Sequence, residues 1–244
     1  MVLPALILCW AVVSWLLNTD LLPAPVTVLD TLINEASTGE LWYHLGATLT
    51  RVIIAFCLAM AMGTAIGLMM GRSATTNALL DPLLVVLLNL PALVTIILMY
   101  VWFGLVEAAA VMAVVINKVP NVAITIREGA RNLDFRLEQM ARVYRFTNWQ
   151  RFRDVWIPQL FSYLMAATRG GLALIWKIVL VVELLGRSNG VGFQLHMAFQ
   201  VFDVATILAY SLAFIAIVQL IELAVLQPLD RRANQWRQPG LAHA

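Results

Sequence analysis

The 244-residue sequence predicts an all-α fold: a polytopic membrane bundle of about six transmembrane helices with a helical loop on the cytoplasmic side. Three observations predict it. Hydrophobic residues make up 61% of the chain and charged residues only 12%, whereas soluble domains carry about 45–50% and about 25%. The apolar residues also gather into runs that approach or exceed the roughly 20 residues a membrane-crossing helix needs. Finally, the arginines cluster between two of those runs instead of spreading along the chain. So little polar surface cannot coat a water-soluble particle. The net charge of +2 is too small to suggest a nucleic-acid partner.

The apolar runs are Leu3–Leu17, Thr48–Met70, Leu79–Phe103, Leu105–Ile126, Leu160–Leu185 and Val204–Leu226. The first is short for a span. It lacks a basic leader and a small-residue cleavage site, so it reads as an uncleaved helix, with residues upstream of Met1 left open. The stretch Leu22–Leu45 opens with Pro23 and Pro25 and carries Val28, Leu29, Leu32 and Ile33 at helical spacing. It predicts an outer interfacial helix. In the second run Gly63, Gly67 and Gly71 share one helix face, which lets a neighbouring backbone approach closely. The third run holds Asn89 and Pro91 near its middle, and the fourth holds Asn117, Lys118, Pro120 and Asn121. Proline inside a span frees a carbonyl that a neighbour, a side chain or cavity water must satisfy. No linker or repeat interrupts the chain. One domain, 1–244, is therefore expected, with a core at about 44–228, a cytoplasmic loop at 127–158 and a cytoplasmic tail at 229–244.

The cations set the orientation. Between Asn18 and Ala47 there is no Lys or Arg, but Asp20, Asp30, Glu35 and Glu40 are present. Between Arg127 and Pro158 stand Arg127, Arg131, Arg136, Arg142, Arg145, Arg151 and Arg153, and the tail adds Arg231, Arg232 and Arg237. The positive-inside rule places both termini, the Arg72 turn and the arginine-rich loop in the cytoplasm. Arg51 and Arg187 fall on the outer side as exceptions.

Lys118 and Lys177, the two lysines of the chain, both lie inside predicted spans. A cation at the centre of a span costs at least about 2.5–3.5 kcal/mol, so it should face a bundle interior, a counter-charge or a wet cavity. One reading is structural: snorkelling, or pairing with Glu183, Glu222 or lipid phosphate. The other is a positive potential along an anion's path. Cys9 and Cys57 lie in apolar runs and read as buried, membrane-facing thiols. Neither CxxC nor HExxH occurs, so no metal or cofactor is expected. GxxxxGK[ST] is absent too, so the chain itself should not cradle a nucleotide, and no enzyme activity is expected.

The loop at 127–158 is the most informative stretch. Leu133, Leu137, Met140, Ala141 and Tyr144 recur at helical spacing, and Asp134, Glu138 and Arg142 follow one another at i, i+4. Phe146, Trp149 and Phe152 follow around Thr147-Asn148, a helix-start signal, and Pro158 marks the turn into the next span. Exposed aromatics beside arginines make a docking surface.

This loop and the span after it resemble the membrane subunit of binding-protein-dependent ABC importers, in the nitrate/sulfonate/taurine branch. The resemblance rests on Gln139, Met140, Ala141, Arg142, Val143, Tyr144 and Arg145, then Trp149, Gln150, Phe152, Val155, Ile157 and Pro158. It extends to Thr48–Arg51, Pro91, Trp102-Phe103-Gly104, Arg169, Trp176, Glu183, Gly190-Val-Gly192 and the tail residues Asp230-Arg231-Arg232 and Trp236-Arg237. The family's loop glutamate falls on Gln139, with Glu138 one position earlier, and its loop glycine falls on Arg145. Because glycine permits a positive φ, Arg145 implies either a different turn or an extra contact with the partner. Lys118 and Lys177 occupy positions that are usually apolar in the family.

The resemblance implies a type I importer permease working as a dimer, most simply a homodimer, in a bacterial inner membrane. It also implies two cytoplasmic ABC ATPase subunits and an outer solute-binding protein. It places ATPase coupling on Glu138, Gln139, Ala141, Arg142, Arg145, Phe146, Trp149, Phe152 and Pro158. Asn89, Lys118, Lys177 and Glu183 become candidates for the translocation path, and the substrate a small anion such as nitrate, a sulfonate or taurine. The competing reading is a secondary transporter driven by an ion gradient, for which Glu183 and Glu222 are the intramembrane acids.

Overall fold

The computed structural model describes residues 2–17, 19 and 21–228, and every regular element among them is helical. The expected tail, with Asp230, Arg231, Arg232, Trp236 and Arg237, lies outside the described residues. Helix α1 (Val2–Leu17) has 16 residues. At 1.5 Å per residue that is about 24 Å, short of a hydrocarbon core of about 30 Å. It is anchored by Trp10 and Ser14, whose side chains donate to the carbonyls of Pro23 (3.1 Å) and Leu22 (2.8 Å).

Helix α2 (Pro25–Thr38) starts on proline, which suits a first turn, and stops at Gly39 with φ of 90°. The expected interfacial helix therefore ends earlier than Leu45. Leu41 and Leu45 belong instead to α3 (Glu40–Arg72), a 33-residue helix that begins well before Thr48. Tyr210 reaches α2 and donates to Glu35 at 2.8 Å.

The expected third span is two helices. Helices α4 (Ala74–Asn89) and α5 (Ala92–Phe103) meet at 98°. Pro91 has no N–H to continue the ladder and forces the residue before it out of the α region; Leu90 is accordingly extended, at ψ 125°. Pro82 and Pro120 lie inside α4 and α6 without breaking them.

Helix α6 (Glu107–Arg131) is the centre of the bundle, packed against α3, α5 and α9. The glycine face of α3 makes this possible. A Cβ on Gly63 would come within 2.5 Å of the Val122 side chain, and one on Gly67 within 2.5 Å of the Ala123 carbonyl. Next come the short helices α7 (Phe135–Val143) and α8 (Asn148–Gln150), a π-helical stretch at Arg151–Trp156, and α9 (Ile157–Gly186). Helix α10 (Val191–Gln200) was not anticipated. It follows Gly190, at φ 109°, and packs on α9 and α11 (Val204–Ile221), which continues as a π turn to Leu226.

Four helical stretches are long and apolar enough to cross a membrane: Glu40–Arg72, Glu107–Arg131, Asn148–Gly186 and Val204–Leu226. The bent α4–α5 pair makes a fifth if it counts as one span. The difference from six is α1, which falls short in length. Cys9 and Cys57 are exposed on helix surfaces, not buried.

Candidate functional site

The arginine-rich loop folds as a helical hairpin under α3 and α9. Helix α7 closes in a Schellman motif: Phe146 N–H donates to Ala141 O (2.9 Å) and Arg145 N–H to Arg142 O (3.0 Å). Arg145 stands at the left-handed position of that motif, with φ 53°. The chain therefore keeps the turn that glycine would make and accepts an arginine in it. Two residues on, Thr147 and Gln150 form a capping box, so α8 starts where the sequence placed it.

Glu138 is the hub of the hairpin. Its carboxylate accepts from Arg151 and, at 3.0 Å, from the Trp156 indole, and Arg72 at the end of α3 lies 3.6 Å away. The Arg72 guanidinium also stacks 4.0 Å over the Trp156 ring. Ala141 is buried beneath, while Gln139, Arg142, Arg145 and Pro158 are exposed. Glu138 thus holds the hairpin together from within, and Gln139 faces outward. Sequence reading missed Arg72, Arg151 and Trp156; the one signal was a lone arginine ending an apolar run. Trp149, Phe152 and Trp156 form an aromatic row with centroids 5.9 and 6.1 Å apart. Trp149 is 66% exposed, and Val143 and Tyr144 are also open. Phe146 is half-buried.

At the end of the bundle opposite the hairpin, Arg51 joins three helices and a loop. It donates to Glu107 at 2.6 and 3.1 Å, to Glu183 at 2.7 Å and to the Asn189 carbonyl at 3.0 Å. Glu183 is fully buried and also accepts from Thr48 and from Gly192 N–H, each at 2.9 Å. Arg187 completes the set against Glu107 at 2.8 Å. Both arginines that break the positive-inside pattern are therefore paired. Both oxygens of Glu183 are engaged, and Glu222 pairs with Arg169 at 3.1 Å. The ion-gradient reading thus finds its two acids already neutralised by arginines.

Between these ends lie the remaining candidates. Asn89 is exposed at the α4–α5 elbow and donates to Val85 O at 2.7 Å. Lys177 is exposed on α9. Lys118 is 4% exposed and lies against Gly171, with no hydrogen bond or ion pair among the described residues. Asn117, Asn121 and Thr125 form a half-buried ladder on α6, each side chain donating four residues back. The sequence showed these asparagines, but their continuation through Thr125 was not picked out. Among the described residues, no three His, Cys, Asp or Glu side chains converge to hold a metal.

A family pattern described as "Binding-protein-dependent transport system inner membrane component" matches residues 63–227. The chain belongs to this family. The permease is 30% identical over 240 residues to the aliphatic sulfonates transport permease protein SsuC of Bacillus subtilis, covering 97% of this chain and 87% of that one. It is 28% identical over 236 residues to the taurine transport system permease protein TauC of Escherichia coli, covering 93% and 84%. Its fold matches a chain in the crystal structure of an amino acid ABC transporter with histidines, at TM-score 0.61 and 22% identity. That match covers 84% of this chain and 97% of the other. The permease is thus a multi-pass inner-membrane transport component of an ABC importer. It is not an enzyme: ATP hydrolysis belongs to a separate ATPase subunit, and a binding protein delivers the substrate.

Proposed function

We propose that two copies of this permease form the translocation path of an importer for a small anion, of the nitrate, sulfonate or taurine kind. Each copy engages one of two ATPase subunits through the cytoplasmic hairpin, and the solute-binding protein docks on the outer side. In this arrangement both termini lie in the cytoplasm, and the chain is one domain. Trp149, Phe146, Phe152, Arg142, Arg145 and Gln139 form or edge the docking face. Glu138 and Ala141 shape it from beneath, and Pro158 begins the span that carries its motion. Asn89, Lys118 and Lys177 line the path, and Glu183 secures its outer end.

The observation that carries this reading is the aromatic row, open at Trp149, on a hairpin tied by Glu138 and Arg72 to the end of α3. Tryptophan and arginine on a rigid, exposed base are the residues that supply binding energy at interfaces. The test is copurification with the ATPase, together with ATP-dependent uptake of nitrate, ethanesulfonate and taurine in proteoliposomes. Loss of ATPase capture on altering the row supports the reading. Labelling of the hairpin from outside intact cells overturns its orientation.

A further inference from the structure

Lys118 is 11 residues from the outer end of α6 and 13 from the inner end. At 1.5 Å per residue it sits about 16 Å in from the outer end, close to mid-membrane and out of reach of lipid phosphates on either side. Every carboxylate in the candidate spans already has a basic partner. Glu40 pairs with His44, Glu107 and Glu183 with Arg51, Glu128 with Arg127 and Arg131, Asp154 with Arg153, and Glu222 with Arg169. Lys118 has none among the described residues, although it is 96% buried by its 4% exposure.

The neighbouring wall explains how it fits. A Cβ on Gly171 would lie 2.9 Å from Lys118 Cε, so the glycine leaves the lysine stem the space it occupies against α9. Gly170 beside it faces open space. Helix α9 therefore presents a glycine, Gly171, beside the ammonium, where a Cβ would lie 3.5 Å from Nζ. The Asn117–Asn121–Thr125 ladder runs along the same helix, and each asparagine amide keeps one N–H beyond its helix carbonyl bond.

We propose that Lys118 is the permease's own anion-recognition residue. An unpaired ammonium at this depth is a site awaiting a counter-ion. The substrate's oxyanion supplies it in passing, along the face of α6 that carries Lys118 and the asparagine ladder. Selectivity for anions then resides partly in the membrane and not wholly in the binding protein. This rests on the importer reading above and adds the residue that meets the substrate.

The complete transporter, with ATPase and binding protein, is reconstituted in proteoliposomes and offered nitrate, ethanesulfonate and taurine. For whichever anion is carried, Lys118→Met lowers uptake at least tenfold while the ATPase still copurifies. Lys118→Arg, which keeps the charge, restores a substantial part of it. Uptake by Lys118→Met within twofold of the unaltered protein overturns the proposal and leaves the importer reading standing. Should Lys118→Met fail to assemble, Lys118→Gln, which removes the charge and keeps a polar side chain, decides, and uptake within twofold is again the overturning result. An unaltered transporter that carries none of the three anions overturns both this site and the substrate class.

Discussion

Arg145 offers the sharpest test of local backbone chemistry. The residue holds φ 53° at the C-terminal turn of α7, and no hydrogen bond or ion pair engages its exposed guanidinium among the described residues. A left-handed conformation costs an L-residue about 1–2 kcal/mol. Arg145→Gly removes that strain but adds unfolded-state freedom worth roughly 0.5–1 kcal/mol. It also gives up an exposed cation near a helix C-terminus, worth about 0.3 kcal/mol. The net is a gain of about 0.5 kcal/mol, or roughly a twofold rise in protection from hydrogen exchange. The amides to follow are those of Arg145 and Phe146, which close the turn. Arg145→Ala is the control, because it removes the guanidinium and keeps the strained backbone. Glycine should raise protection and alanine should not. Equal behaviour of the two variants, or lower protection in the glycine variant, would refute the strain argument. Coupling distinguishes a further role: if the arginine also contacts the ATPase, both variants weaken ATPase copurification alike.

Three further outcomes follow from the same geometry. Trp149→Ala and Phe146→Ala should leave the permease in the membrane but weaken ATPase capture, by roughly 30-fold if Trp149 is a hot spot of about 2 kcal/mol; pull-down at graded salt measures it. Glu183→Gln leaves Arg51 with Glu107 as its one carboxylate, beside Asn189, so the loss should be near the lower end of the 3–5 kcal/mol range for a broken buried pair, at about 3 kcal/mol. Thermal unfolding of the detergent-solubilised protein reads it, and an unchanged midpoint would show that the pair holds nothing. Gly67→Ala places a Cβ 2.5 Å from the Ala123 carbonyl, so α3 and α6 must separate at a cost of about 1–3 kcal/mol; a melting point equal to that of the unaltered protein would argue against the close packing.

What the sequence disclosed and what it withheld divide along range. Apolar runs and the arginine cluster are local signals, and they located α6, α9 and α11 to within a turn or two of their ends. Helix α3 is the exception, because its polar start at Glu40 sits before the apolar run. Asn89 and Pro91 were visible, yet continuous hydrophobicity through them read as one span when the proline made a right-angled elbow. Helix α10 was hidden because ten residues between two spans look like a loop. The Arg51–Glu183 contact joins residues 132 apart in sequence, and nothing in either neighbourhood names the other. Within the hairpin, Thr147 as a cap was legible from residue type, and the family glycine position from the resemblance. That Arg145 simply adopts the glycine conformation needed the backbone itself. Burial could not be read for Lys118 either, because it depends on Gly171 in a helix more than fifty positions away.

The π-helical stretch at Arg151–Trp156 fuses α8 to α9, so that Asn148–Gly186 runs as one 39-residue rod. At 1.5 Å per residue such a rod is about 58 Å long, nearly twice the hydrocarbon thickness. Its ends are Trp149 and the Glu183–Arg51 knot, and helix runs without interruption between them. The element is built as a lever arm: in the proposed importer, a tilt imposed at the tryptophan would emerge at the opposite end, reversed in direction if the pivot lies where α9 packs on α6.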